Sequence, residues 1–357
     1  MLSIIARMLT RMILIRFAVI LLGLSFFVLT FEVVGFLDDV LHITSNPLLS
    51  ILTYVVTRLP GVLSLFLPTS LLLALLLCMT ELSYRNELTA IWATGISPSR
   101  LIIKLLPLAI LIGVAHFIVA DQLVPAAAPC LRGWGIADYA TRKLSSDPND
   151  PVWIRSGNDI MRADRISADN NELTNVTIFK RAPMGELLGE IYADKAVRQG
   201  GQWWLTNVVR YDSDGTRPVR EGAAAYEGTL RLADNKRIGS PEEMSLKQIH
   251  NFATHNGYGV RAPYVYETWE QKRLTPIFIS VVMVALCIPL GTTFRRGGGL
   301  GAIFVAGVGL GFAYLVADGL ATTMGETGSV APWIAAWGPI LVMAAIALAM
   351  LARTDHV

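Results

Sequence analysis

The chain has 357 residues, 53% of them hydrophobic and 16% charged, proportions that exclude an ordinary soluble domain and suit a bilayer. A formal net charge of +2 supplies neither the basic field of a nucleic-acid binder nor an acidic tail, so no nucleic-acid partner is expected. Three cysteines, with Cys78 and Cys287 inside apolar runs and Cys130 outside them, exclude a disulfide framework.

Six apolar runs meet or approach the roughly 20 residues that a spanning helix needs: 17–34, 61–80, 101–120, 274–291, 300–320 and 333–351. An even count puts both termini on one side. The start, MLSIIARMLTRMILIR, has the basic front of a signal peptide, but the apolar run behind it is too long and no A-x-A follows, so an uncleaved first span is expected. Arg7, Arg11 and Arg16, then Arg85, Arg100 and Lys104, then Arg295 and Arg296, and finally Arg353 fall on one side of the spans. The opposite short loops carry only Arg58, which assigns the termini and the 81–100 loop to the cytoplasm. Lys272 and Arg273 go against this pattern, at the outer end of span 4.

Between spans 2 and 3, Tyr84, Leu88, Ile91 and Trp92 recur at i, i+4, i+7 and i+8 and predict one helix over 81–94 with a single apolar stripe. Gly95 can stop it, Ser97 can cap the next helix and Pro98 suits its first position, which makes a stop-and-restart joint before span 3. Such a bracket can lie in the lipid interface or insert into a groove of a cytoplasmic motor. Its period does not choose between the two.

Residues 121–273 change pattern. VWIR, IMRADRI, LTNVTIFK, LLGEIYADKAVRQ, QWWLTNVVRYD and REGAAAYEGTLRL are separated by turn-rich clusters at the spacing of an antiparallel β domain. One flat sheet would leave an apolar face wet, so a second sheet or a curved closure is required, and a jelly-roll-like shape is expected. Its interior is a packed core or an open trough for acyl chains. PEEMSLKQI, at 241–249, predicts a short helix leading back to the membrane.

No G-x-x-x-x-G-K-[ST] occurs, so energy from ATP would have to come through a partner. FRRGGGLG does not follow a strand and is expected to be a flexible cytoplasmic turn rather than a dinucleotide loop. Gly307 and Gly311 form a G-x-x-x-G that permits close helix packing in span 5. His250 and His255 are five apart, not on one helical face, and no metal site is expected. G-x-S-x-G and H-E-x-x-H are absent, and nothing resembles an active site. Glu32, His116 and Asp318 sit near the outer ends of their spans, where each is an interfacial residue or a member of a proton relay.

NELTAIWATGIS resembles the coupling-helix segment of the LptF/LptG lipopolysaccharide-export permeases, and YETWEQKRLTPIFISVVMVALCIPLG is similar to their fourth-span entry. VWIRSGNDIMRADRI looks more like the LptG branch than the LptF branch. The resemblance implies a polytopic α-helical membrane protein with six spans and an inserted all-β, jelly-roll-like periplasmic domain. Spans 1–3 would occupy 1–120 with a coupling helix at 81–95, the β domain and its connectors 121–273, and spans 4–6 residues 274–357. It implies a multi-pass subunit of the bacterial inner membrane, not an enzyme, with no cofactor of its own and with ATP and Mg on a partner ATPase. The partners implied are a paralogous six-span permease, a cytoplasmic ATPase dimer, periplasmic bridge proteins and a single-span accessory subunit, with lipopolysaccharide as substrate.

By position, Glu87 would be the carboxylate facing the ATPase, Leu88, Ile91 and Trp92 its apolar support, and Gly95 the helix stop. Arg132 and Arg273 would contact lipid. In FEVVGFLDDV the nearest match to an LptG lysine is Gly35, with Glu32, Asp38 and Asp39 around it, an acidic mouth unlike the family's. Two other classes stay open: a proton-coupled secondary transporter using Glu32 or Asp318, and a membrane-tethered scaffold. The missing inverted repeat and the large insert argue against the first.

Overall fold

A computed structural model describes residues 4–142, 151–156, 158–167, 171–182, 186–212, 218–228, 240–255, 262–293 and 300–355. The turn expected around Arg295 and Arg296 lies outside them. The chain divides into a helical unit, Met1–Arg142 with Glu242–Leu246 and Glu267–Val357, and a second unit, Lys143–Pro241 with Lys247–Tyr266.

The helical unit contains six helices long and apolar enough to cross a membrane. They are α1 (Ile4–Gly35), α3 (Pro47–Tyr84), α5 (Pro98–Ile118) with its extension, α8 (Pro263–Thr293), α9 (Leu300–Glu326) and α10 (Pro332–Asp355). A short α2 (Leu37–Leu41) follows α1, and α4 (Glu87–Ala93) separates α3 from α5. Three helices start well before their apolar runs, α1 at Ile4 rather than 17 among them. Asn46 accepts the Leu48 N–H and Pro47 takes the first position, so α3 begins ahead of 61 and Arg58 lies on a helix rather than in a loop. Likewise α8 begins at Pro263 instead of 274.

Leucines of α3 and the inner face of α8 form the centre of the core, joined by residues of α1, α5, α9 and α10. Small residues set the closest approaches. A Cβ at Gly113 of α5 would lie 2.7 Å from the Ile277 carbonyl oxygen of α8. On α9, Gly307 and Gly311 face Leu76 and Leu72 of α3, the close packing that their spacing predicts.

Span 3 does not end as a plain α-helix. A π-helical turn, Val119–Leu123, follows α5 and leads into α6 (Val124–Trp134), which stops at Gly135 in the left-handed region. The segment expected to be one helix from 241 is a 3-10 turn, Pro241–Glu243, and then α7 (Leu246–His255).

The second unit holds one six-stranded antiparallel sheet in sequential order. Its strands are β1 (Val152–Ser156), β2 (Asp159–Ile166), β3 (Glu172–Arg181), β4 (Leu187–Gln199), β5 (Gln202–Asp212) and β6 (Val219–Tyr226). Gly200 and Gly201, both at positive φ, make the tight β4–β5 turn. Among the described residues there is no second sheet, so the inserted β domain takes the curved route to closure. Tyr226 of β6 comes back against Ser156 and Asp159 at the β1–β2 end, and burial pushes its phenol up to about 12.

One row across the sheet, Asp164, Asn175, Asp194 and Asn207, drops out of the ladder while the register on either side of it is unchanged. Asn175 and Asn207 sit in mid-strand at positive φ, which asparagine tolerates better than most residues. Their side-chain amides donate to Asp164 (3.2 Å) and Asp194 (2.8 Å) on the neighbouring strands. At this line the inward alternation slips by one: Leu173 is followed by Val176, Ala193 by Ala196, and Leu205 by Val208. The apolar residues therefore stay inward on both sides of the row.

Candidate functional site

The loop between α3 and α5 differs from the single helix expected over 81–94. Asn86 adopts φ 55° and breaks the chain, so α3 ends at Tyr84 and α4 covers only Glu87–Ala93. Tyr84 is 75% exposed and does not share the buried stripe. Leu88 (3% exposed) and Ile91 (7%) face inward. Leu88 and the half-buried Trp92 join the cluster that contains Leu9 and Ile13 of α1 and Leu82 of α3. The outward side of α4 is left with Thr89, Ala90 and Ala93, while Glu87 is half-buried in the first turn, where a carboxylate suits the helix N-terminus.

The joint after α4 has the parts that the sequence predicts. Gly95 lies at φ +79° and its N–H reaches the Trp92 carbonyl (2.9 Å). Ser97 Oγ then accepts the Arg100 N–H (3.3 Å) with Pro98 at the first position of α5. Arg16 of α1 forms an ion pair with Glu81, one turn before the end of α3, which also pairs with Arg85. This end of the unit is thus an apolar bracket with one anchoring ion pair across α1 and α3.

At the opposite end of the spans the polar residues converge in three groups. Glu32 of α1 accepts from Tyr54 (2.6 Å) and from Arg58 Nε (2.8 Å), both on α3. Arg58 also reaches Asp138 (3.1 Å) and lies over the Tyr139 ring. In the second group, Lys272 of α8 bonds Asp318 of α9 (2.8 Å) and Thr322, and sits over Trp269. Of the acidic mouth expected around Gly35, Glu32 is paired within the chain. Neither Glu32 nor Asp318 is an unpaired acid of the kind a proton relay requires, and His116 meets only Ser64 (3.3 Å) among the described residues.

The third group holds both arginines expected to touch lipid. Arg273, 6% exposed, donates to the carbonyls of Ala120 (2.7 Å), Glu242 (2.5 Å) and Met244 (2.7 and 3.0 Å). Arg132, 7% exposed, pairs with Glu243 at 3.4 Å. Both guanidinium groups are buried, with partners in the returning segment Glu242–Leu246. Sequence reasoning missed Asp121, whose carboxylate accepts the Leu246 N–H (2.5 Å), and Glu243. The available signal was Pro125, which lacks an N–H and leaves a carbonyl of the preceding turn without a backbone donor.

The described residues hold no group of three or more His, Cys, Asp or Glu placed for a metal. The arrangement offers buried ion pairs at one end of the spans and an apolar bracket at the other.

A profile of the family described as "Lipopolysaccharide export system permease LptF/LptG" matches residues 7–353. The chain is 24% identical over 313 residues to the lipopolysaccharide export system permease protein LptG of Escherichia coli strain K12, covering 84% of each chain. The same identity and coverage hold for LptG of the Escherichia coli O6:H1 strain CFT073.

Proposed function

This chain belongs to the LptF/LptG family of lipopolysaccharide export permeases, and from that premise we propose that it is the membrane subunit through which a cytoplasmic ATPase drives lipid out of the inner membrane. Family membership makes it a multi-pass permease component rather than an enzyme. The finer reading assigns ATP and Mg to two ATPase copies, pairs this chain with a second six-span permease, and adds periplasmic bridge proteins and a single-span accessory subunit downstream. The termini and α4 lie in the cytoplasm and the β domain in the periplasm.

The observation that carries the motor reading is α4. A helix of seven residues is too short to be stable alone, and it persists because Leu88 and Trp92 are pinned to the core and Ile91 is buried beside them in sequence. It is followed within five residues by the capped start of span 3. A push on its outer side, Thr89, Ala90 and Ala93 with Glu87 at the edge, is therefore passed to α3 and α5 as displacement and not absorbed by a loose loop. In the β domain, an apolar interior that includes Met161, Ile178 and Trp203 supports a role in receiving acyl chains. Edge strands β1 and β6, unpaired with each other among the described residues, give the roll a line along which to open.

Purification through a C-terminal tag, followed by native mass analysis, tests the assembly. One related permease and two ATPase copies are expected to copurify. Glu87→Lys is expected to abolish ATP-driven lipid release while leaving the chain folded, and release at the wild-type level would remove Glu87 from the coupling surface. A homodimer or a lone chain after crosslinking would sink the motor reading altogether.

A further inference from the structure

The return of the chain from the β domain crosses the insert end of the spans at Glu242–Leu246, and that five-residue segment is gripped on several sides. Arg273 of α8 takes the carbonyls of Glu242 and Met244, Asp121 of the π-helical turn takes the Leu246 N–H, and Arg132 of α6 pairs with the Glu243 carboxylate. The same Arg273 reaches the Ala120 carbonyl, so one guanidinium joins span 4, span 3 and the connector.

The grip depends on the π-helical turn. The Val124 N–H, four residues after Ala120, donates to Val119 instead. Five residues after Ala120 stands Pro125, with no N–H to offer. The Ala120 carbonyl is thus short of a backbone donor inside a buried site, where an unmet acceptor is costly, and the guanidinium supplies it. A regular α-helix here would close that carbonyl and remove the arginine's anchor on span 3.

We infer that Arg273 and Asp121 form a clamp that fastens the connector Glu242–Leu246 to spans 3 and 4, so that displacement of those spans is delivered to the β domain. The inference rests on the motor reading above and adds its output end. Span 3 begins at the Ser97–Pro98 joint beside α4 and ends at the π-helical turn, so one continuous helix, with Pro107 inside it, runs from the bracket to the clamp. The connector continues in sequence into Pro241 on one side and α7 on the other, both in the β-domain unit. Arg273 is accordingly a positioning residue. Four of its five N–H groups are directed at protein carbonyls.

The test uses the full complex in proteoliposomes containing lipopolysaccharide, with ATP hydrolysis and lipid release measured together. Arg273→Gln is expected to keep hydrolysis within about twofold of wild type while lipid released per ATP falls about tenfold, the effect of losing charged hydrogen bonds at a buried site. Asp121→Ala removes a separate leg of the clamp and should give the same uncoupling, so the inference stays testable if Arg273→Gln does not assemble. A cysteine pair at 121 and 246, in a Cys130→Ser background, is expected to restore release to Arg273→Gln when oxidised and to lose it again on reduction.

Release per ATP unchanged in both single variants, or hydrolysis and release falling in proportion with no rescue by the disulfide, overturns the clamp. A wild-type complex that hydrolyses ATP without releasing lipid would instead overturn the motor reading, and the clamp with it.

Discussion

At one end of the helical unit α4 is held by carbon, through Leu88 and Trp92, whereas at the other Arg58, Arg132 and Arg273 hold the helix ends with nitrogen and oxygen. The apolar contacts are non-directional and tolerate small tilts. The buried pairs have defined geometry and are costly when one member is lost. An input surface that must follow a moving partner is suited by the first kind of contact, and an output end that must move as a block by the second.

Four substitutions sharpen or break this contrast. The largest effect is expected for Arg58→Ala, which leaves the half-buried Glu32 with Tyr54 alone and should cost about 3–5 kcal/mol in detergent unfolding. The double change Glu32→Leu with Arg58→Met should recover much of it, and a loss below about 1 kcal/mol in the single variant would place the pair in effective contact with water. Leu88→Ala is next, at about 2–4 kcal/mol, while Leu88→Met should stay below about 1.5 kcal/mol because an apolar site accepts a flexible side chain of similar volume. Equal losses for the two would mean that α4 is held as rigidly as the insert end.

Gly113→Ala should lower stability by about 1–3 kcal/mol, since the new methyl meets backbone that cannot rotate away. Glu87→Lys is the mildest for the fold, at about 0.5–1 kcal/mol from the helix terminus, and a far larger loss would show that Glu87 supports the bracket rather than facing a partner.

Much of this architecture is visible in local signals. The six spans follow from apolar runs, the strands from their turn clusters, and the Gly95, Ser97 and Pro98 joint from residue types whose preferences need no tertiary context. Asn86 shows where such signals fail: an asparagine reads as one more helical position until its left-handed backbone ends α3 two residues short of α4. Asn175 and Asn207 fail in the same way, since strict alternation along β3 and β5 hides the one-residue slip that each introduces.

The insert end is illegible for a different reason. Glu32 finds Arg58 across 26 positions, and Arg273 finds Ala120 across 153, so their pairing is a property of the packed helices and of no local pattern. The basic pair Lys272 and Arg273, which contradicts the charge bias of the loops, is explained once Asp318 and the carbonyls are seen around it. Charge counted along a chain misjudges sidedness wherever the charge is neutralised inside the fold.

Cys130 is exposed on α6, whereas Cys78 and Cys287 are buried in the core. The unaltered chain therefore carries its own reporter of sidedness. A membrane-impermeant maleimide added to intact cells expressing it should mark one thiol, on the side where the inserted domain stands. Labelling that appears only after the membrane is opened would turn the whole topology over without a single residue having been changed.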